Sequence, residues 1–215
     1  IILLHENTSE ELDELLQRVS VPVLLASVNV AGSPLPCVGI DDAKAAYDAV
    51  SYLIRIGHER IAGVFGKSYT LGQLRKNGYL QAMADAGLPV GGDSVIYSDC
   101  SIDGGVKAAQ KFTQNKSIPT AVFCVSDEIA IGVMDYLDKL GYRVPEDVSV
   151  FGVDDIYLAG IFRPRLSTVN QPVDEIGVQA ARMLVELIKN PEADPRLVLE
   201  HSLTLRDSCA PVSRS

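Results

Sequence analysis

The sequence predicts an α/β fold with parallel sheets, and three observations lead to it. Short apolar segments alternate with amphipathic helical segments along the 215 residues, which is the order of successive βαβ units. The strand segments are continuously apolar rather than alternating, as in sheets that helices cover on both faces. The connections are short, which favours compact lobes. A chain of this length can form one domain or two small lobes.

In the first half of the chain, apolar runs predict strands and one-sided apolar spacing predicts helices. Ser9 can cap a helix after the first strand. Asp41 or Asp42 can cap a second helix, which ends at Gly57, a residue suited to the position after a helix. The predicted strands are residues 1–4, 22–26, 37–40, 61–65 and 95–97, and two further helices are residues 71–86 and 103–114.

The same pattern continues through the second half of the chain. Its predicted strands are residues 121–125, 148–151 and 197–205, and its helices are residues 127–140 and 173–189. The last helix has a one-sided apolar face, which predicts that this face is buried. The face consists of Ile176, Ala180, Met183, Leu184 and Leu187.

Composition excludes several classes of function. A net charge of −9 makes the chain a poor DNA binder by itself, because nucleic-acid affinity depends on Lys and Arg that neutralise phosphates. The four cysteines form no C-x-x-C pair, so we expect free thiols and no metal site. No apolar run approaches the roughly 20 residues of a membrane span. No dinucleotide-binding loop and no nucleophile–base pair is present, so neither a cofactor nor an enzyme is predicted.

Charged residues near strand ends are the candidate ligand contacts, since ligands of open α/β sheets bind outside the carboxyl ends of the strands. Asp154 and Asp155 follow a predicted strand. We expect Asp154 to contact a ligand while Asp155 makes local backbone bonds. Asp127 follows another strand, and we expect it mainly to cap the next helix, with ligand contact as a further role. Arg75 lies near a helix start, an end that cations usually avoid because of the helix dipole.

Several segments together resemble the effector-binding core of LacI/GalR-type transcription regulators. The most specific are Val144-Pro-Glu-Asp-Val-Ser-Val-Phe-Gly-Val-Asp-Asp155 and Leu166-Ser-Thr-Val-Asn-Gln-Pro172. The resemblance implies a fold like that of periplasmic sugar-binding proteins, in which three strand crossovers join two doubly wound α/β lobes and the ligand lies in the cleft between them. The other matching segments are residues 40–46, 53–61, 74–79, 119–132 and 205–208.

The resemblance also implies lobe boundaries. The N-terminal lobe would be residues 1–39 plus 168–199, and it would be incomplete. The C-terminal lobe would be residues 40–167 plus 200–215. The chain begins with an apolar strand and no Met, which indicates a start within a domain. The resemblance implies that this strand is the third strand of the N-terminal lobe. The helix-turn-helix DNA-binding head would then be absent from the chain.

Matched position by position, the resemblance assigns the cleft arginine to Arg75, the cleft aspartate to Asp154, and a polar residue beside a crossover to Gln171. The first would chelate ligand hydroxyl or carboxylate groups, and the second would accept from sugar hydroxyls or a base.

The chain departs from its apparent relatives at four further positions. Relatives often carry Asp and Asn where this chain has Ser27 and Ser126, an aromatic residue at Cys100, and a hydroxyl residue at Leu71. These departures leave the identity of the ligand open. The expected ligand-binding residues are Arg75, Asp154, Gln171, Ser27, Ser126, Asp127, Cys100 and Leu71.

The function that the resemblance implies is effector sensing by a cytoplasmic, homodimeric transcription regulator. A sugar or sugar phosphate is the first expectation for the effector and a nucleoside the next. The effector would shift the equilibrium between lobe orientations through its differential affinity, typically ~1–3 kcal/mol of coupling, and so control operator binding by the DNA head. The alternative is a periplasmic sugar-binding component of an ABC transporter. Residues 144–155 and 166–172 match the regulators more closely.

Overall fold

The structure is a computed structural model that describes residues 1–4, 14, 16, 18–27, 35–66, 70–114 and 118–212, without the side chains of residues 70 and 71. The helix expected after Ser9 therefore lies mostly outside the described residues. The chain divides into two compact units. The first is Ile1–Asp42, Ser68–Leu71 and Gln171–His201, and the second is Ala43–Lys67, Gly72–Asn170 and Ser202–Ser215.

The strands and helices are labelled here in chain order. The strands are β1 (Ile2–Leu3), β2 (Leu24–Ala26), β3 (Cys37–Ile40), β4 (Ile61–Gly66), β5 (Val95–Ser98), β6 (Ala121–Cys124), β7 (Ser149–Asp154), β8 (Ser167–Asn170), β9 (Arg196–Leu199) and β10 (Ser202–Thr204). The helices are α1 (Asp42–Arg55), α2 (Thr70–Asp85), α3 (Ile102–Gln114), α4 (Asp127–Lys139), α5 (Tyr157–Ile161) and α6 (Val173–Lys189), with a 3-10 turn at Gly92–Ser94.

The first unit contains a parallel sheet of order β1-β2-β3-β9. The helix α6 packs against this sheet through the apolar face that its 3.6-residue spacing predicts. Leu184 is only half-buried, so it lies at the edge of that face. The cluster consists of Leu24, Ala26, Val38, Ile176, Ala180, Met183 and Leu187.

The second unit contains a six-stranded sheet of order β10-β8-β7-β6-β4-β5. All neighbours are parallel except β10, which runs antiparallel to β8. The residues of β4 and β6 are buried throughout, which explains why these strands read as continuous apolar runs. The chain leaves β4 towards β5 on one side and returns as β6 on the other, so the topological switch point lies between β4 and β6. The predicted α/β fold with parallel sheets is confirmed.

The structure corrects the sequence prediction at four places. Residues 197–205, predicted as one strand, form β9 and β10, which belong to different sheets. The strand predicted at residues 148–151 extends to Asp154. Two elements, α5 and β8, were not predicted.

The unit boundaries also differ from those that the resemblance implies. Because β8 pairs with β7, residues 168–170 lie in the sheet of the second unit rather than in an N-terminal lobe. Residues 40–42 and 200–201 fall in the first unit.

Two glycines allow α3 and α4 to approach closely. A Cβ added at Gly132 would overlap the carbonyl oxygen of Ile102, and one added at Gly105 would overlap the carbonyl oxygen of Ile129. Both obstacles are backbone atoms, which cannot move aside as a flexible side chain can. The contact between the two helices therefore requires that neither position carries a side chain.

We expect Gly132→Ala to lower the free energy of unfolding by about 1–3 kcal/mol, because the added methyl group overpacks a rigid contact. The matched control is Gly177→Ala in α6, where no atom lies within 4 Å of the added Cβ. This control should be neutral or stabilising by up to about 1 kcal/mol, since Ala favours helix over Gly. Urea denaturation measures both variants, and equal midpoints for the two would contradict the prediction.

Candidate functional site

A buried arginine spans the topological switch point of the second unit. Arg75 belongs to α2, which follows β4, and the residue is 5% exposed. Its Nη1 donates to the carbonyl oxygen of Val125, directly after β6, at 2.6 Å. Open α/β sheets bind ligands at such a point, because loops from neighbouring strands diverge there and leave a crevice.

The same guanidinium nitrogen faces a carboxylate at the end of β7. The distance from Arg75 Nη1 to Asp154 Oδ1 is 3.4 Å, and the side chain of Asp154 is 31% exposed. A buried guanidinium requires a counter-charge, which this carboxylate supplies. The exposed part of the Asp154 carboxylate can accept charge-assisted hydrogen bonds from a ligand. The two residues expected to form the core of the site are therefore together.

Asp154 and Asp155 form a corner of unusual backbone conformation. Their φ angles are 113° and 52°, in a region that residues other than Gly rarely adopt. Such residues cost about 1–3 kcal/mol each and persist only where the surroundings over-determine them. We call residues 154–156 the aspartate corner.

The side chain of Asp155 is held by the chain's C-terminal segment and by β8. Its Oδ1 accepts from Arg206 Nη2 at 2.6 Å. Its Oδ2 accepts from Asn170 Nδ2 at 3.0 Å and from Thr204 Oγ1 at 3.1 Å. The expectation that Asp155 makes local backbone bonds is therefore wrong, since its carboxylate accepts from side chains that are 15 or more residues away along the chain.

Asp127 anchors the other side of the aspartate corner. It is fully buried, and its carboxyl accepts from Thr168 Oγ1 at 2.6 Å and from the backbone N–H of Ile156 at 2.9 Å. The N-cap of α4 is instead Ser126, whose hydroxyl accepts from Ile129 N at 3.5 Å. The expected capping role of Asp127 is wrong. Its complete burial also argues against the direct ligand contact that we expected as a further role.

Burial makes Asp127 an unusual acid. Desolvation raises its pKa to about 7, with smaller contributions in the same direction from the charges of Asp154 and Asp155. The hydrogen bonds from Thr168 and Ile156 act in the opposite direction. The protonation state of this anchor therefore changes near neutral pH.

The remaining expected site residues divide between the two units. In the second unit, Cys100 is exposed after β5 and Ser126 is half-buried after β6, both at carboxyl ends of strands. In the first unit, Ser27 follows β2 with a φ of 60°, and Gln171 is half-buried directly after β8. The side chain of Leu71 lies outside the described residues. Ligand contact by these residues stays a prediction.

Sequence reasoning missed three polar residues of this region, namely Thr168, Asn170 and Arg206. Two of them occur in the segment 166–172 and one in 205–208, both of which carried the resemblance. The available signal was polar residues in an otherwise strand-like stretch, which indicates partners inside the fold.

Over the residues that the structure describes, no three His, Cys, Asp or Glu side chains are placed to hold a metal ion. Among the described helices, none is long and apolar enough to cross a membrane.

Comparison with known proteins identifies the family. The model of the periplasmic binding protein-like domain matches residues 50–209. A LacI family transcriptional regulator from Enterococcus faecium, solved with bound ribose, has a TM-score of 0.83 and 27% identity over 96% of this chain and 77% of that chain. The complex of the transcriptional regulator CelR with cellobiose has a TM-score of 0.89 and 34% identity over 96% of this chain and 64% of that chain. The chain belongs to the LacI/GalR family.

The sequence similarity extends to further members of the LacI/GalR family. Catabolite control protein A of Priestia megaterium is 36% identical over 211 residues, which cover 97% of this chain and 64% of that protein. The chain thus spans somewhat less than two thirds of the length of that relative. The resemblance drawn from the sequence is confirmed. The two solved relatives are transcriptional regulators rather than enzymes.

We expect the stability of the chain to depend on pH through Asp127. Its pKa is about 7 in the folded chain and 3.8 ordinarily, so the folded state holds the proton more tightly. The stability that this group contributes is fully present below about pH 4 and is lost as pH rises through about 7. Asp127→Asn, which resembles the protonated form, removes this loss. The free energy of unfolding of the variant should therefore rise relative to that of the wild type as pH increases from 4.5 to 7.5, and urea denaturation measures both.

A suitable control for this measurement is Asp147→Asn. The pKa of the exposed Asp147 carboxyl is lowered to about 2 by its hydrogen bonds with Arg143. The stability that depends on the protonation of Asp147 changes only between about pH 2 and pH 3.8, and with the opposite sign. The difference in free energy of unfolding between this variant and the wild type should therefore stay constant between pH 4.5 and 7.5. A difference from the wild type that also stays constant for Asp127→Asn would contradict the raised pKa of Asp127.

Proposed function

We propose that the chain is the effector-sensing core of a transcription regulator and that it binds a small polyhydroxylated metabolite at Arg75 and Asp154. The observation that carries this proposal is the 3.4 Å pair between these two residues at the switch point. A guanidinium only donates hydrogen bonds and a carboxylate only accepts them. A sugar hydroxyl does both, so adjacent hydroxyls of one sugar can satisfy both groups.

A sugar is the proposed effector class, followed by sugar phosphates and then nucleosides. The charge of Arg75 is already balanced by the Asp154 carboxylate, which favours an uncharged polyol over a free anion at this position. The solved relatives with bound cellobiose and ribose support the same class.

The regulatory part of the proposal concerns the longer protein. The net charge of −9 makes operator contact by this chain itself unfavourable. We therefore propose that a DNA-binding head elsewhere in a full-length, homodimeric protein contacts the operator, and that the effector alters its affinity. Such a regulator works in the cytoplasm and catalyses no reaction.

The second candidate is a sugar-binding component of an ABC transporter, because the matching family model describes a periplasmic binding protein-like domain. The relatives favour the regulator, since the two solved relatives described above are named as transcriptional regulators. The coding sequence upstream of Ile1 distinguishes the two. A helix-turn-helix there supports the regulator, and a signal peptide supports the transporter component.

The site is tested by calorimetry of the full-length protein with cellobiose, ribose, glucose 6-phosphate and adenosine. For a sugar that binds the wild type, Asp154→Asn should weaken affinity by about 1.5–3 kcal/mol, because charge-assisted hydrogen bonds are lost. Arg75→Gln should abolish detectable binding. The control is Arg143→Gln, which removes an arginine from an exposed ion pair with Asp147 and should bind like the wild type. Unchanged affinity in both site variants would refute the proposed site.

A further inference from the structure

The orientation of the Asp154 carboxylate depends on residues that lie behind it. Asp154 ends β7, and its strand register partner is Asn170 at the end of β8. Beyond Asp154 the backbone turns through two consecutive residues with positive φ. An isolated chain would rarely hold that turn, so the direction of the carboxylate is set by whatever fixes the next two residues.

The residue that follows is fixed through its side chain. Both oxygens of Asp155 accept hydrogen bonds, Oδ1 from Arg206 and Oδ2 from Asn170 and Thr204. The pair with Arg206 is largely enclosed, with the side chains of Arg206 and Asp155 only 19% and 12% exposed. Low exposure of both partners makes this pair a firmer restraint than a surface ion pair.

Arg206 is itself tied to the start of β8. Its Nη1 donates to the carbonyl oxygen of Leu166 at 2.8 Å, and its backbone N–H donates to Ser167 Oγ at 2.8 Å. The guanidinium therefore bridges a backbone group at the start of β8 and the aspartate corner. A side chain held at both ends can define a position rather than merely neutralise a charge.

The backbone of the corner is fixed from the other side. The N–H of Asp155 donates to Thr168 Oγ1 at 3.3 Å, and the same hydroxyl donates to Asp127. The N–H of Ile156 donates to Asp127 as well. The peptide groups after Asp154 are thus held by one network and the Asp155 side chain by another.

We propose that Asp155 and Arg206 are positioning residues for Asp154. They hold the aspartate corner in its left-handed conformation, so that the Asp154 carboxylate faces Arg75. The inference rests on the proposed function in so far as Asp154 contacts the effector. Neither Asp155 nor Arg206 needs to touch the effector, yet both determine how well it binds.

The first test requires no ligand. Crystal structures of the full-length protein with Arg206→Leu and with Asp155→Asn are compared with the wild type. Loss of the restraint should carry the Asp154 carboxylate away from Arg75, beyond ion-pair distance, from the present 3.4 Å. The matched control is Arg165→Leu, which removes an exposed ion pair with Asp207 in the same part of the chain. An unchanged Arg75–Asp154 distance in both variants would overturn the proposal, and Asp155→Asn decides the matter if Arg206→Leu does not fold.

The second test uses calorimetry with cellobiose and ribose as probes. Arg206→Leu should weaken binding at least tenfold, while Arg165→Leu should leave it unchanged. In an Asp154→Asn background, Arg206→Leu should cause no further loss, because the residue it positions has already been altered. Full additivity of the two losses would mean that Arg206 acts independently of Asp154 and would overturn the proposal. If the wild type binds neither sugar, the proposed effector class fails, while the crystallographic comparison still decides the positioning role.

Discussion

Two consecutive aspartates in left-handed backbone conformations are the constraint on which the candidate site depends. Asp154 can face Arg75 only because the chain turns sharply there. That turn costs about 1–3 kcal/mol per residue. Hydrogen bonds to charged groups contribute about 1.5–3 kcal/mol each, and the Asp155 carboxylate alone accepts from Arg206, Asn170 and Thr204. The hydrogen bonds to the Asp155 carboxylate are therefore of a size that can offset the backbone strain of the turn.

The sheet topology explains why these groups meet. Parallel strands bring their carboxyl ends to one edge, and the reversal of strand order between β4 and β6 opens a crevice there. The helix after β4 supplies Arg75, the residue after β6 supplies the carbonyl of Val125, and the end of β7 supplies Asp154. An acceptor and a donor, both partly committed to the protein, are a suitable pair for recognising hydroxyl groups.

Sequence periodicity predicted most helices and strands because it reports local burial. The long helix Val173–Lys189 was predicted with its bounds, since its apolar face repeats with the helical period. Asp154 was expected from its place after a strand and Arg75 from its place near a helix start, and the family resemblance supported both expectations. The roles of Asp127 and Asp155 were predicted wrongly, because helix capping by Asp127 and local backbone bonds by Asp155 were inferred from neighbours along the chain. Their actual partners include Thr168 and Arg206, 41 and 51 residues away.

Other misses have the same physical origin. Residues 196–199 and 202–204 look like one apolar strand, and only the pairing partners of each part show that they enter different sheets. The requirement for Gly at positions 105 and 132 depends on how closely two helices cross. Neither property can be read from a single segment, because each belongs to a contact between segments.

The return of the chain into the second unit has a consequence for biosynthesis. Ser208 donates to the carbonyl of Val150 and accepts from the N–H of Ser167, and β10 closes the edge of the six-stranded sheet. These contacts join residues that are more than thirty positions apart along the chain. Before residues 202–208 are synthesised, the six-stranded sheet therefore lacks its strand next to β8. A chain that ends before residue 202 leaves the edge of β8 unpaired, and an unpaired strand edge tends to pair with other chains and aggregate.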